Sequence, residues 1–204
     1  LVPVAAIAFA WQWISLPRMV AAPGAARGQV FPLLRRRGVL LGMAACGAFF
    51  MGQFALFTYV RPFLEMVTRV DARGLSLVLL GIGVAGFLGT AAIGAFLRRG
   101  LYRTLAVIPV AMAAIALVLI PAGGRLWAAT ALLALWGLLA TAAPVGWWSW
   151  VAQTFPHDAE AGGGLMVAVV QCSIALGSTV GGLLFDGRGY QATFVAAGAI
   201  LLLA

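Results

Sequence analysis

The sequence predicts an all-α, polytopic membrane protein, and three observations carry that reading. Apolar residues make up 64% of the 204 positions and charged residues 9%, which leaves too little polar surface to coat a soluble globule of this size. Five apolar runs are long enough to cross a bilayer as helices, which takes about 20 residues each. The thirteen basic residues, all Arg, fall mostly in the short gaps between those runs, the arrangement of topology signals. A net charge of +8 raises nucleic-acid binding as a rival, but arginines confined to gaps between spans do not build a contiguous basic face. No nucleic-acid partner is expected; the lipid bilayer is.

Taken in order, residues 1–15 form the end of one helix, too short to span alone. Residues 16–38 are a basic interval with Arg18, Arg27, Arg35, Arg36 and Arg37. Residues 39–60 span and close on Arg61-Pro62, and residues 67–73 make a polar turn. Residues 75–97 span and end on Arg98, Arg99 and Arg103. Residues 104–121 form a third span, turned by Gly123-Gly124-Arg125. The Trp-rich run 126–154 is the longest. In the gap 156–164, Asp158 and Glu160 suit the N-terminus of the next helix. Residues 165–185 span again, and the run from Gln191 is short of a full crossing. Incomplete runs at both ends predict a segment of a longer membrane protein. Alternating the spans puts Arg18 to Arg37 and Arg98 to Arg103 on one side, which the positive-inside rule makes cytoplasmic.

Shifting the chain by 88 residues lays Gly89-Thr90 on Gly177-Ser178, Gly94 on Gly182 and Tyr102 on Tyr190. The first turn falls on one side and the second on the other, so the copies are expected to be inverted, as in many transporters.

These features resemble a known family. A long basic loop before six spans, GAFLRRGLYRTL from Gly94 to Leu105 and GGLLFDGRGYQATF from Gly181 to Phe194 are similar to the C-terminal half of a major facilitator superfamily transporter. TYVRPFLE, LLALWGLLATAAPVGWWSW and DAEAGGGLMVAV resemble its drug and metabolite efflux branch, and within it the purine ribonucleoside efflux permeases. The first turn looks like that family's G-x-L-x-D-R-x-G-R-R loop with Arg98 where Asp is usual, which removes the acid a charge-relay gate needs. The resemblance implies a six-helix half of a twelve-helix bundle with an inverted 3+3 repeat. Residues 1–15 would then end helix six, 16–38 form the cytoplasmic linker, and 39–204 form the C-terminal six-helix domain with a truncated last helix. It also implies that spans 39–60 and 126–154 line the central cavity.

Candidate substrate-binding residues follow. Phe49, Gln53 and Phe57 recur at i, i+4 and i+8 on one helix. An amide between aromatic rings suits a nucleobase, by stacking and by edge recognition; the other reading of Gln53 is a hydrogen bond to a neighbouring helix. Thr141 and Trp147 are expected toward the cavity, with Trp150 and one of the adjacent pair in the interfacial belt. Gln171 is a second mid-span amide, suited to interhelical bonding or to substrate. Gly177 and Gly181, and Gly83, Gly86 and Gly89, are expected to pack helices closely. Arg61 and Glu65, four apart, are expected to pair at the outer surface; they are grouped with Arg98, Arg99 and Arg103 as gating or topology residues. His157, Asp158 and Glu160 read as a solvated, capping loop rather than a metal site, and Cys46 and Cys172 as small buried side chains. No catalytic residue set, cofactor or metal is expected.

The function implied is secondary active efflux of a small planar metabolite, purine ribonucleosides or analogues first, by alternating access in the bacterial inner membrane. Proton antiport is implied by the family, since no Asp, Glu or His lies mid-span; the carrier would lie in the N-terminal half. The alternatives are a sugar or multidrug exporter of the same superfamily, or a segment of a non-transporting membrane sensor or enzyme.

Overall fold

The computed structural model describes Phe9, Trp11, Gln12, Ser15 and residues 35–156 and 158–204. Arg18 and Arg27, most of the linker expected at 16–38, and His157 lie outside the described residues. The rest is helical: α1 (Arg37–Phe57), the short α2 (Val60–Phe63) running into one π-helical turn (Leu64–Thr68), α3 (Ala72–Arg99), α4 (Leu101–Ala122), α5 (Leu126–Thr154), α6 (Ala159–Arg188) and α7 (Tyr190–Leu201). Among the described residues five stretches are long and apolar enough to cross a membrane, the first running Arg37–Thr68, and α7 is a shorter apolar helix. Side chains such as Phe87, 74% exposed, and Leu77, Leu80 and Leu183 cover the outer faces, as suits a surface that meets lipid or more protein rather than water. This is a multi-pass helical membrane chain.

Most spans run past the limits that apolarity alone sets, and at α3 a side-chain cap accounts for it, whereas Asp158, at the N-cap of α6, makes no such bond. The Asp71 carboxylate accepts the Gly74 N–H at 2.8 Å, so α3 starts three residues before Leu75. The first span also continues through Arg61-Pro62, where the sequence suggests a stop. The helix breaks at Thr58 and Tyr59, and α2 restarts at Val60. Pro62 therefore falls in a first turn, whose N–H groups have no intrahelical acceptor to lose. The π-helical turn ends on Arg69, whose φ of 58° is left-handed.

Two hairpins turn on single glycines. Gly100 donates its N–H to Phe96 O (3.2 Å) between α3 and α4, and Gly189 to Phe185 O (2.9 Å) between α6 and α7. Gly189 has φ 82°, which strains any residue with a Cβ. The phenylalanines and turn glycines of the two hairpins are 89 apart in sequence, one residue off the 88-residue shift that aligns Gly94 with Gly182 and Tyr102 with Tyr190.

The helices pack in a paired order. α3 lies along α5, and α1 along α6; α5 also packs on α4, α1 on α7, and α4 on α7. Thus α1 takes α6 as its main partner, and α5 takes α3. Glycine sets how closely these pairs approach. A Cβ on Gly89 would overlap the Leu138 carbonyl of α5, and one on Gly177 the Met51 carbonyl of α1. Gly83, expected to pack with Gly86 and Gly89, instead faces open space. A spacing of three steps a residue about 60° round the helix each time, so Gly83 is turned some 120° from Gly89.

Candidate functional site

α1 and α5 hold the aromatic and amide residues of interest. Phe49 is fully buried, edge-on to Phe50 at 5.3 Å and tilted against Trp147 of α5 at 6.3 Å between ring centroids. Gln53, one turn on, is 8% exposed. Its Oε1 is buried with no hydrogen-bond partner among the described residues. Phe57 is 37% exposed and edge-on to Phe54. The three do not share one environment. Each step of four residues turns about 40° round the helix, which carries the row from the core at Phe49 to the rim at Phe57.

On α5 the two adjacent tryptophans point apart. Trp147 is buried against Phe49 and Trp150, and its indole N–H has no partner among the described residues. Trp148, 47% exposed, lies on the open side of α5 with Thr141. Trp150, assigned to the interfacial belt from sequence, is a core residue: Gly42 of α1 leaves room for its ring, and Phe155 packs on it edge-on.

The Thr141 hydroxyl bonds the backbone, with Gly86 O and Gly137 O both at 2.8 Å, and the Thr90 hydroxyl reaches Thr141 O at 3.3 Å. Thr141 thus ties α5 to α3 from the rim of that contact. The matching tie between α1 and α6 uses other residues. Thr58 and Ser178 hydroxyls lie 2.9 Å apart, and the Tyr59 hydroxyl donates to Ser178 O at 2.9 Å. Tyr59 also stacks on Phe185. Sequence reasoning passed over this clasp because Thr58-Tyr59 sits at a helix break that hydropathy does not register.

Gln171 and Cys172 are exposed on α6. The expected buried amide and buried thiol are therefore both on an open face, since α6 buries a narrow, glycine-rich stripe through Gly177 and Gly181. A side-chain amide facing hydrocarbon is expensive, so this open face suits protein or water better than lipid.

The charged candidates occupy the helix ends. Arg61 Nε donates to Glu65 Oε1 at 2.9 Å, both side chains exposed. Arg98 and Arg99 end α3 and Arg103 lies in the first turn of α4. Arg99 and Arg103 sit at the mouth of a cavity of about 460 Å³ between α3 and α4, floored by Leu138, Leu139 and Ala142 of α5. None of Phe49, Gln53, Phe57, Thr141, Trp147 or Gln171 lines it. Among the described residues no three His, Cys, Asp or Glu side chains converge to hold a metal.

No family model matches the chain. It is similar to a protein of Pseudomonas aeruginosa named transcription regulatory protein OpdE, with 62% identity over 208 positions that cover all of this chain and 52% of the relative. It is also similar to proteins named purine ribonucleoside efflux pump NepI, with 38% identity to that of Salmonella typhimurium and 37% to that of Salmonella enteritidis. Each of those matches covers 95% of this chain and 49% of the relative. The chain spans about half the length of the curated relatives it matches.

Proposed function

We propose that the chain is the C-terminal six-helix half of a major facilitator exporter of the bacterial inner membrane, moving a small planar metabolite outward by alternating access. The observation that carries this is the 38% identity to purine ribonucleoside efflux pumps over 95% of the chain. Purine ribonucleosides are therefore the leading substrate class, and protons the exchanged ion. The exchange of partners between α1, α3, α4 and α5, α6, α7 supports an inverted 3+3 repeat. In this reading the face with the exposed Thr58, Thr141, Trp148 and Gln171 is turned to the other half across the substrate path. Gln53 lies just behind that face in this reading. Its buried, unpaired oxygen costs about 1–3 kcal/mol, a cost that a substrate donor at the transport site would offset.

The test is efflux from cells loaded with labelled inosine and expressing the complete protein. Export that an uncoupler abolishes is the expected result, and no export above an empty-vector strain defeats the proposal. Gln53→Leu should lower export at least several-fold with unchanged membrane abundance. It should also leave thermal stability equal or higher, since the substitution removes an unsatisfied polar atom. Undiminished export would reduce Gln53 to packing.

The second reading is a membrane-embedded regulator, favoured by the 62% identity to a protein named as a transcription regulator. It predicts altered transcript levels in a deletion strain that a transport-impaired Gln53→Leu protein restores in full. If the regulation follows from transport, that variant fails to restore them.

A further inference from the structure

We propose that the groove between α3 and α4 at their arginine-rich end is a binding site for an anionic phospholipid, with acyl chain in the groove and phosphate at Arg99 and Arg103. The groove arises because α3 and α4, joined by the Gly100 turn, diverge and each leans on α5 more than on the other. Its volume of about 460 Å³ falls within the range of about 300–1,000 Å³ typical of ligand pockets. The walls are apolar, chiefly Ala92, Ile93 and Phe96 of α3 and Val107 and Ile108 of α4.

Polarity is confined to one end. Arg99 and Arg103 line the groove where the helices turn, and no carboxylate lines it. Among the described residues neither arginine makes an ion pair. The one hydroxyl, Thr104 Oγ1, already donates to the backbone, with Gly100 O at 2.8 Å and Phe96 O at 3.3 Å. Beyond these three side chains, all at the one end, the groove lining has no polar side chain to read the edge of a nucleobase. It offers an apolar slot ending in two cations, which complements an acyl chain ending in a phosphodiester. Arginine forks bind phosphate in two-point fashion, and basic pockets between spans at a membrane surface suit anionic headgroups. Tyr102, exposed between the two arginines, has the amphipathic ring favoured at headgroup level.

The site is tested by native mass spectrometry of the complete protein in detergent, titrated with dioleoyl phosphatidylglycerol or with dioleoyl phosphatidylcholine. With roughly fivefold per arginine near a headgroup, phosphatidylglycerol should bind on the order of 25-fold tighter than Arg99→Gln/Arg103→Gln allows, and Arg103→Gln alone should lose roughly fivefold. Phosphatidylcholine should bind more weakly than phosphatidylglycerol to the unmodified protein. Ala92→Phe, which fills the slot, should weaken both lipids, whereas Arg125→Gln at the opposite end should change neither. Equal binding of the two lipids overturns the proposal, as does an unchanged affinity in the arginine variants or in Ala92→Phe. Displacement of lipid by millimolar inorganic phosphate would make this a free-anion site and equally overturn it. Variants are compared only where thermal unfolding matches the unmodified protein, and Arg103→Gln, altering one exposed side chain, is the fallback.

Discussion

In the α3–α5 pair a glycine, Gly89, lets the helix meet the Leu138 carbonyl, and in the α1–α6 pair Gly177 does the same at Met51. Both pairs add side-chain hydroxyl bonds to backbone carbonyls across the contact. They differ in the backbone beneath. The Thr141 tie sits inside two unbroken helices, α3 and α5, whereas the Thr58, Tyr59 and Ser178 clasp sits where α1 breaks and α2 restarts. Two contacts of one design therefore give one continuous strut and one jointed strut. Gln53, whose Oε1 has no partner among the described residues, lies just over one turn before the joint. If motion accompanies transport, the α1–α6 pair has a full helix break at which to bend, whereas α5 carries only the backbone bond lost at Pro144, and the small-residue contact of α1–α6 lets the faces slide.

The largest effect should come from closing either contact. Gly89→Leu and Gly177→Leu each drive a side chain into a backbone carbonyl that cannot rotate away, and overpacking against such an obstacle costs about 3 kcal/mol or more. Both variants should lose most of their folded protein in thermal unfolding of detergent-purified samples. Gly83→Leu, facing open space, should keep the parent midpoint. The comparison sharpens if Gly177→Leu is the milder of the pair, because a jointed α1 can shift to relieve the clash. Equal tolerance of all three would mean that these glycines do not set the approach.

Next in size are the hydroxyl ties. Thr141→Val removes a bond between two helices that run without a break through the contact, and interhelical bonds of this kind average about 0.6 kcal/mol, up to about 1.7 kcal/mol. Thr58→Val removes a bond at a joint that can rearrange, so its cost should be lower. Destabilisation in the reverse order, measured by thermal unfolding, would remove the rigid-versus-jointed distinction.

The helices themselves were legible because hydropathy and length determine spans, and five long apolar stretches are found where five were expected. The break at Thr58 was not, since a local cap and restart leave no trace in apolarity. Side-chain facing was legible only as relative angle. Spacing says that Trp147 and Trp148 point about 100° apart, but not which one turns inward. In a soluble helix the polar face would settle that rotation; here lipid-facing and core-facing residues are equally apolar. The same ambiguity placed Trp150 at the interface, where the structure buries it, and made Gln171 a buried amide, where the structure leaves it exposed on this chain. Charge at helix ends carries no such ambiguity, so the Arg61–Glu65 pair was readable from spacing alone.

That pair should give the smallest effect and serves as the control for the others. Arg61 and Glu65 lie within the jointed segment, Arg61 in α2 and Glu65 in the π-helical turn. Their 2.9 Å contact is water-accessible on both sides. An exposed i, i+4 pair contributes only about 0.3–0.5 kcal/mol, less in salt. Glu65→Gln should therefore shift the unfolding midpoint by about a degree or less, with the difference vanishing near 1 M salt. It should also leave export intact if the pair only ties one turn to the next. A loss of export at unchanged stability would instead make this ion pair a partner of the joint at Thr58, and the jointed strut would then extend to the membrane surface.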